Sequence, residues 1–212
     1  GNMEPQKAAT EAVRETEGQI LCQNGEAVEA YYFSTSAGVT STDEIWGSDE
    51  AAPYLRSVPC KFDEEEPWSS WIVDLPWKML EDRIREKGEG TVLRSVTVTR
   101  RSESGAATAL EAVSDKDSCI IENEYEIRKF LAPVNCMITE KDGTETAGGS
   151  LLPSAYFELE RTQNGNLQVR GKGYGHGVGM SQTGADKMAE QGYDYREILD
   201  YFFRNITVEN LG

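Results

Sequence analysis

Five glycines alternate with other residues between Gly171 and Gly179, and they surround His176, the only histidine in the chain. A glycine forgoes side-chain packing and costs backbone entropy, so five in nine residues require a cause. The usual causes are backbone at positive φ and the close approach of a ligand or a second backbone. The residues that follow, Met180 to Gln191, read as a helix with Ala185, Met188 and Ala189 on one side and Gly192 as its stop. The glycines fit neither the dinucleotide fingerprint G-x-G-x-x-G nor the phosphate loop G-x-x-x-x-G-K-[ST]. Two readings of the collar are open. It is a rigid polar site built around one imidazole, or it is a tight corner with His176 as a satisfied structural residue.

The rest of the chain alternates strand and helix signals irregularly. Pro5 to Thr16 reads as a helix ended by Gly18. Gln19 to Gln23 and Glu26 to Phe33 read as strands joined by Asn24-Gly25, a strong two-residue hairpin signal. Ser34 to Trp46 is a polar loop, and the acidic run Asp63 to Glu66 before Pro67-Trp68 reads as a surface bend. Pro76 to Lys87 is a helix stopped by Gly88, with Trp77, Leu80 and Ile84 at helical spacing. Leu93 to Thr99 and Ala107 to Val113 alternate like strands. Glu122 to Leu131 is a short helix. Val134 to Glu140, Tyr156 to Glu160 and Leu167 to Arg170 are further strands, with turns at Asp142-Gly143 and Asn164-Gly165. Asp194 to Glu197 is a capping box opening the last helix. Strands and helices do not alternate one for one. The expected class is therefore α+β, with mixed and antiparallel sheets and several helices packed around them.

Ser34, Thr35 and Ser36 are consecutive hydroxyls at a strand end beside Gly38. Strand alternation would put Ser34 and Ser36 on one side and Thr35 on the other. Hydroxyls donate and accept, which suits sugar hydroxyls and acetamido groups. They equally suit a turn that caps its own backbone. Trp46 and Tyr54 offer apolar faces for a sugar ring, or core packing. His176 titrates near neutrality and could carry a proton or hold a ligand. Gln182 is a neutral donor and acceptor near the helix start, and Ser181 suits its cap.

The collar Gly173-Tyr-Gly-His-Gly-Val-Gly-Met-Ser-Gln-x-Gly-Ala185, with Met188-Ala-x-x-Gly192 and Ile198-Leu-x-Tyr-Phe-Phe203, resembles the C-terminal signature of the SpoIID/LytB family. Phe33-Ser-Thr-Ser-Ala-Gly38, Trp46 and Tyr54-Leu-x-Ser-Val-Pro59 resemble its central block. The likeness runs from about Ala8 to Ile206, and 67–159 matches only in outline. It implies a SpoIID-like fold, with 1–66 and 150–212 forming the core domain around a glycan groove and 67–149 inserted as an α+β subdomain. It implies lytic transglycosylase chemistry on peptidoglycan, cleaving the bond between N-acetylmuramic acid and N-acetylglucosamine. Sporulation members act on strands stripped of peptides, beside an amidase, and LytB-like relatives are amidase enhancers. The substrate-binding residues it nominates are Ser34, Thr35, Ser36, Gly38, Tyr174, His176, Gly177, Ser181 and Gln182.

Such cleavage needs one carboxylic acid that protonates the leaving oxygen and then acts as base while the sugar's own 6-hydroxyl attacks. The family carries it on a segment resembling E-M-P…E-A-L-K-A-Q-A-x-A-A-R-T-Y, which nothing in this chain matches. No catalytic acid is assigned. Asp43 and Glu44 are the nearest internal candidates, and both also read as solvated loop acids. Three functions remain open: a glycan-cleaving enzyme present as an incomplete domain, a non-catalytic wall-binding or amidase-enhancing module, and a secreted protein-interaction domain.

The net charge of −16 argues against a nucleic-acid or anionic-membrane partner. It fits a neutral glycan or a basic protein, and a cell-wall amidase is an expected partner. No apolar run is long enough to span a membrane, and no signal peptide is visible. The expected place is extracytoplasmic, with an anchor in a segment absent from this sequence. The four cysteines, Cys22, Cys60, Cys119 and Cys136, lack knuckle spacing. Two disulfides, with Cys119–Cys136 as the first pair to test, and four buried thiols are both open. No cofactor is expected. Zinc would need three or four ligands from one histidine and scattered cysteines.

Overall fold

A computed structural model describes residues 7–211. Helix α1 (Lys7–Glu15) leads into strand β1 (Gln19–Gln23) and β2 (Glu26–Ala27). The expected start of α1 at Pro5 lies outside the described residues. Asn24 and Gly25 both take positive φ (53° and 80°), as a two-residue hairpin turn requires. The second strand does not run through to Phe33. It stops at Ala27, and the chain resumes as β3 (Tyr32–Phe33), which belongs to a different sheet.

A 3-10 turn covers Asp43–Trp46 and another Pro67–Ser69, before β4 (Trp71–Leu75) and α2 (Trp77–Glu86). In β4 the alternation is strict: Trp71, Val73 and Leu75 are buried and Ile72 and Asp74 are exposed. Then come β5 (Leu93–Arg101), β6 (Ala107–Ser114) and β7 (Ser118–Glu122). They form one antiparallel sheet. The expected helix from Glu122 begins later, as α3 (Glu124–Phe130), because Asn123 turns at φ 61° and its side chain caps Glu126 N–H at 3.0 Å.

Strands β8 (Met137–Glu140), β9 (Glu145–Ala147), β10 (Phe157–Arg161) and β11 (Leu167–Gly171) join β4 in a sheet of order β10-β11-β4-β8-β9. The short β12 (Met180–Ser181) pairs in parallel with β3, setting Met180 against Tyr32 and Ser181 against Phe33. Helices α4 (Gln182–Glu190) and α5 (Tyr195–Phe202) follow, the latter opened by the capping box of Asp194 and Glu197. Finally β13 (Thr207–Asn210) pairs with β1 across the length of the chain.

The architecture is α+β, with two apolar clusters. One gathers Trp71, Val73 and Leu75 with Leu80, Ile84, Leu110, Ile127 and Val169. The other gathers Ile45, Leu55, Cys60, Tyr156, Val178, Met188, Phe202 and Phe203. Among the described residues no helix is long and apolar enough to cross a membrane.

Candidate functional site

The hydroxyl loop and the glycine collar meet directly. Thr35 N–H donates to the Tyr174 carbonyl at 3.1 Å, and Tyr174 N–H donates to the Thr35 carbonyl at 2.8 Å. The glycines permit this approach. Gly173, Gly175, Gly177 and Gly179 all have positive φ. A Cβ on Gly173 would lie 2.8 Å from the Thr35 oxygen and 2.9 Å from Ala37 N, so a second backbone occupies the space a side chain would need.

Asp63 fastens these segments from beneath. The acidic run was expected at the surface, yet Asp63 is 1% exposed. Its carboxylate accepts from Ser36 N–H at 2.8 Å, Ser36 Oγ at 2.6 Å and Ser181 Oγ at 2.6 Å, with the Cys60 thiol at 3.5 Å. A buried carboxyl without an ion-pair partner is costly unless donors surround it, and here five do, the fifth being Thr183 Oγ1 at 3.3 Å. Each serine hydroxyl has one proton to give, and the shortest contact spends it on Asp63. Ser181 also accepts from Gly184 N–H at 3.2 Å, so it caps α4 as its position suggested.

The nominated residues therefore divide. Ser36, Thr35, Gly177 and Ser181 are buried. Thr35 Oγ1 lies 3.3 Å from both Ser34 Oγ and Thr183 Oγ1, so the alternation expected of a strand does not hold; the chain bends after Phe33. Gly177 donates no surface either: its carbonyl accepts from Ser41 N–H at 2.6 Å. Ser34 and Gly38 are half-buried, and Gln182 and Tyr174 are exposed. The Tyr174 ring meets Trp68 edge to face, centroids 4.7 Å apart.

His176 is half-buried between Phe33 and Trp46, with ring centroids at 5.8 and 5.3 Å. Its Nδ1 accepts from Val178 N–H at 3.0 Å, which places the neutral ring's proton on Nε2. Burial lowers its pKa. Glu124 opposes that, Arg128 adds to it, and a backbone hydrogen bond at Tyr32 opposes it. Glu124 and Arg128 form a buried ion pair in α3, with Arg128 Nε donating to the Leu152 carbonyl at 2.8 Å.

Trp46 also lines a cavity of about 580 Å³ with Glu44, Arg100, Glu103 and Glu122. Glu44 is exposed and accepts from Thr42 Oγ1 at 2.7 Å, whereas Asp43 accepts from Ala52 N–H at 3.0 Å. Tyr54 packs against the second apolar cluster. All four cysteines are free thiols, so Cys119 and Cys136 are not bonded. Cys119 sits on β7 near Glu89 and Lys87, whereas Cys136 lies beside Arg83 and Asp74. Among the described residues no three of His, Cys, Asp and Glu gather as a metal ion would require.

The sequence reading missed Asp63, because its partners Ser36 and Ser181 are 27 and 118 residues away. It also missed Thr183, which supports the Ser34 carbonyl at 3.0 Å, and the Glu124–Arg128 pair. The i,i+4 spacing of the last was its one available signal.

A family model described as "Domain of unknown function (DUF8618)" matches residues 60–179. The chain is 31% identical over 202 residues to Stage II sporulation protein D of Bacillus amyloliquefaciens, covering 95% of this chain and 51% of that protein. It is 30% identical over 203 residues to Stage II sporulation protein D of Bacillus subtilis (strain 168), covering 95% and 51%. It is 23% identical over 230 residues to the Amidase enhancer of Bacillus subtilis (strain 168), covering 93% and 32%. The chain belongs to the family of that model, and its likeness to the sporulation proteins and the amidase enhancer marks it as SpoIID/LytB-like. It spans about half the length of the sporulation proteins it matches.

Proposed function

We propose that this chain holds peptidoglycan glycan strands during cell-wall processing linked to sporulation, outside the cytoplasm and beside a cell-wall amidase. The observation that carries the reading is the pair of hydrogen bonds between Thr35 and Tyr174. They set a partly exposed polar loop beside the rings of Tyr174 and Trp68, and that mixture suits a sugar, apolar on its ring faces and polar at its rim. The names of the relatives support the cell-wall and sporulation context. Isothermal titration with glycan strands stripped of peptides tests it. Saturable binding is expected, weakened by Tyr174→Ala, and no binding would refute the reading.

Cleavage of the MurNAc–GlcNAc bond is a second reading, and one observation favours a place for it. Glu44, Glu103 and Glu122 are all exposed acids on the 580 Å³ cavity, and Glu44 is the one two residues from Trp46. His176 is a poorer candidate for that acid, since burial disfavours the charged ring and Nδ1 accepts from Val178 N–H. In this reading Glu44 protonates the leaving oxygen and then takes the proton of the sugar's 6-hydroxyl. Mass spectrometry of digested strands decides it: anhydromuramyl ends that vanish in Glu44→Gln are expected. Their absence with the unsubstituted chain leaves binding alone.

A further inference from the structure

His176 lines neither of two depressions that meet at the other side of the hydroxyl loop. They measure about 290 and 280 Å³ and share Ala37 and Lys172. Ser36, Gly38, Ser69 and Ser70 line one, and Ser104 and Tyr156 the other. Four cations stand along this groove. Lys141 pairs with Glu65 at 2.8 Å, Arg101 with Glu158 at 3.0 Å and Arg170 with Glu160 at 3.8 Å. The Lys172 ammonium has no ion pair or hydrogen bond among the described residues, in a chain with 37 acids and 21 lysines and arginines.

The backbone that carries Lys172 is fixed on every side. Lys172 N–H donates to the Tyr156 carbonyl at 2.9 Å, and its own carbonyl accepts from Ser154 Oγ at 2.6 Å. Trp71 Nε1 donates to the Gly173 carbonyl at 2.8 Å. A Cβ at Gly171 would fall 2.0 Å from the Trp71 ring, so the two glycines let this tripeptide lie flat against the protein. Lys172 supplies its only side chain, and that side chain is exposed. A rigid mount aims one unpaired ammonium into an open polar groove beside the hydroxyl loop.

We propose that this groove is a subsite for sugar units that bear a single carboxylate, as N-acetylmuramic acid stripped of its peptide does, and that Lys172 reads that carboxylate. The proposal rests on the glycan-holding reading above. Glu64, Glu65 and Glu158 on the rim disfavour multiply charged phosphates, and a single cation suits a single negative charge. The chain's overall negative charge repels such a strand only within about 10 Å at moderate salt.

The test compares two glycans and two variants by isothermal titration: peptide-free muramyl strands and a neutral N-acetylglucosamine oligomer, against Lys172→Met and Lys172→Arg. For an exposed charge pair, Lys172→Met should weaken muramyl-strand binding by about two- to fivefold. Neutral-oligomer binding and the thermal midpoint should not change, and Lys172→Arg should restore the preference. Equal effects on both glycans, or none on either, overturn the proposal while leaving glycan holding intact. If neither glycan binds the unsubstituted chain, the broader reading falls and this one with it.

Discussion

Ser181 donates its hydroxyl proton to the carboxylate of Asp63 at 2.6 Å, joining residues 118 apart in sequence. The same carboxylate takes both the amide and the hydroxyl of Ser36. Hydroxyls that resemble ligand groups in the sequence are thus the joints of the site. They fix the hydroxyl loop to the exit of the collar, and that register lets Thr35 and Tyr174 pair.

Asp63→Ala strands the buried Ser36 amide and leaves the Ser36 and Ser181 hydroxyls only their longer contacts, both 3.2 Å, with the Cys60 and Ser34 carbonyls. Each unsatisfied group costs about 1–3 kcal/mol, so a total loss of about 3 kcal/mol is expected after partial relaxation. Urea unfolding followed by tryptophan fluorescence measures it. A loss under about 1 kcal/mol would mean the network is not holding the two segments.

Because His176 is the only histidine, its titration can be isolated. Its folded pKa lies below the ordinary histidine value of about 6.5, chiefly through burial. The unfolded chain therefore binds the proton more readily. Stability is fully present above about 6.5 and declines as pH falls below it. Denaturation midpoints between about pH 7 and pH 5.5 should show this slope, and His176→Gln should remove it. The same ring fills space between Phe33 and Trp46. His176→Ala should therefore lower the thermal midpoint.

Gly173→Ala and Gly38→Ala form a matched pair. Both glycines have positive φ, 75° and 93°. Only at Gly173 does a Cβ meet backbone; at Gly38 nothing lies within 4 Å. Gly38→Ala should cost about 1 kcal/mol from the dihedral alone, and Gly173→Ala clearly more. Tyr174 should also become more mobile in the second variant only. Equal costs would contradict the close approach.

Thiol labelling separates the cysteines. Cys22 and Cys60 are buried, and burial first, then the nearby Asp63, pushes the Cys60 thiol up to about 12. Cys119 and Cys136 are half-exposed. Two thiols should react with a thiol reagent in the folded protein, and two only on unfolding. A chain that yields fewer than four thiols when denatured without reductant would restore the disulfide.

Local signals were legible where their physics is local. The Asn24-Gly25 turn, the capping box of Asp194 and Glu197, and the helix of Trp77, Leu80 and Ile84 all depend on neighbours within four residues. The collar's need for close backbone approach was also readable, because glycine density has few causes. What stayed hidden depends on distant partners. Asp63 reads as surface until Ser36 and Ser181 are brought to it. The strand expected through Phe33 breaks after Ala27, because Tyr32 and Phe33 are claimed by β12. The edge strands β9 and β13 are short and mostly exposed, so neither shows a clear alternation.

The pairing of Gln19–Gln23 with Thr207–Asn210 has a kinetic consequence. The first of these strands finds its long partner only after the 185 residues that separate Cys22 from Thr207 have been synthesised, and its hairpin with Glu26–Ala27 is too short to be stable alone. Closing so large a loop is slow, so this sheet should be a late-forming part on the ribosome and in refolding. Until then the edge that carries Cys22 waits uncovered, and a chaperone or a second nascent chain would find it there.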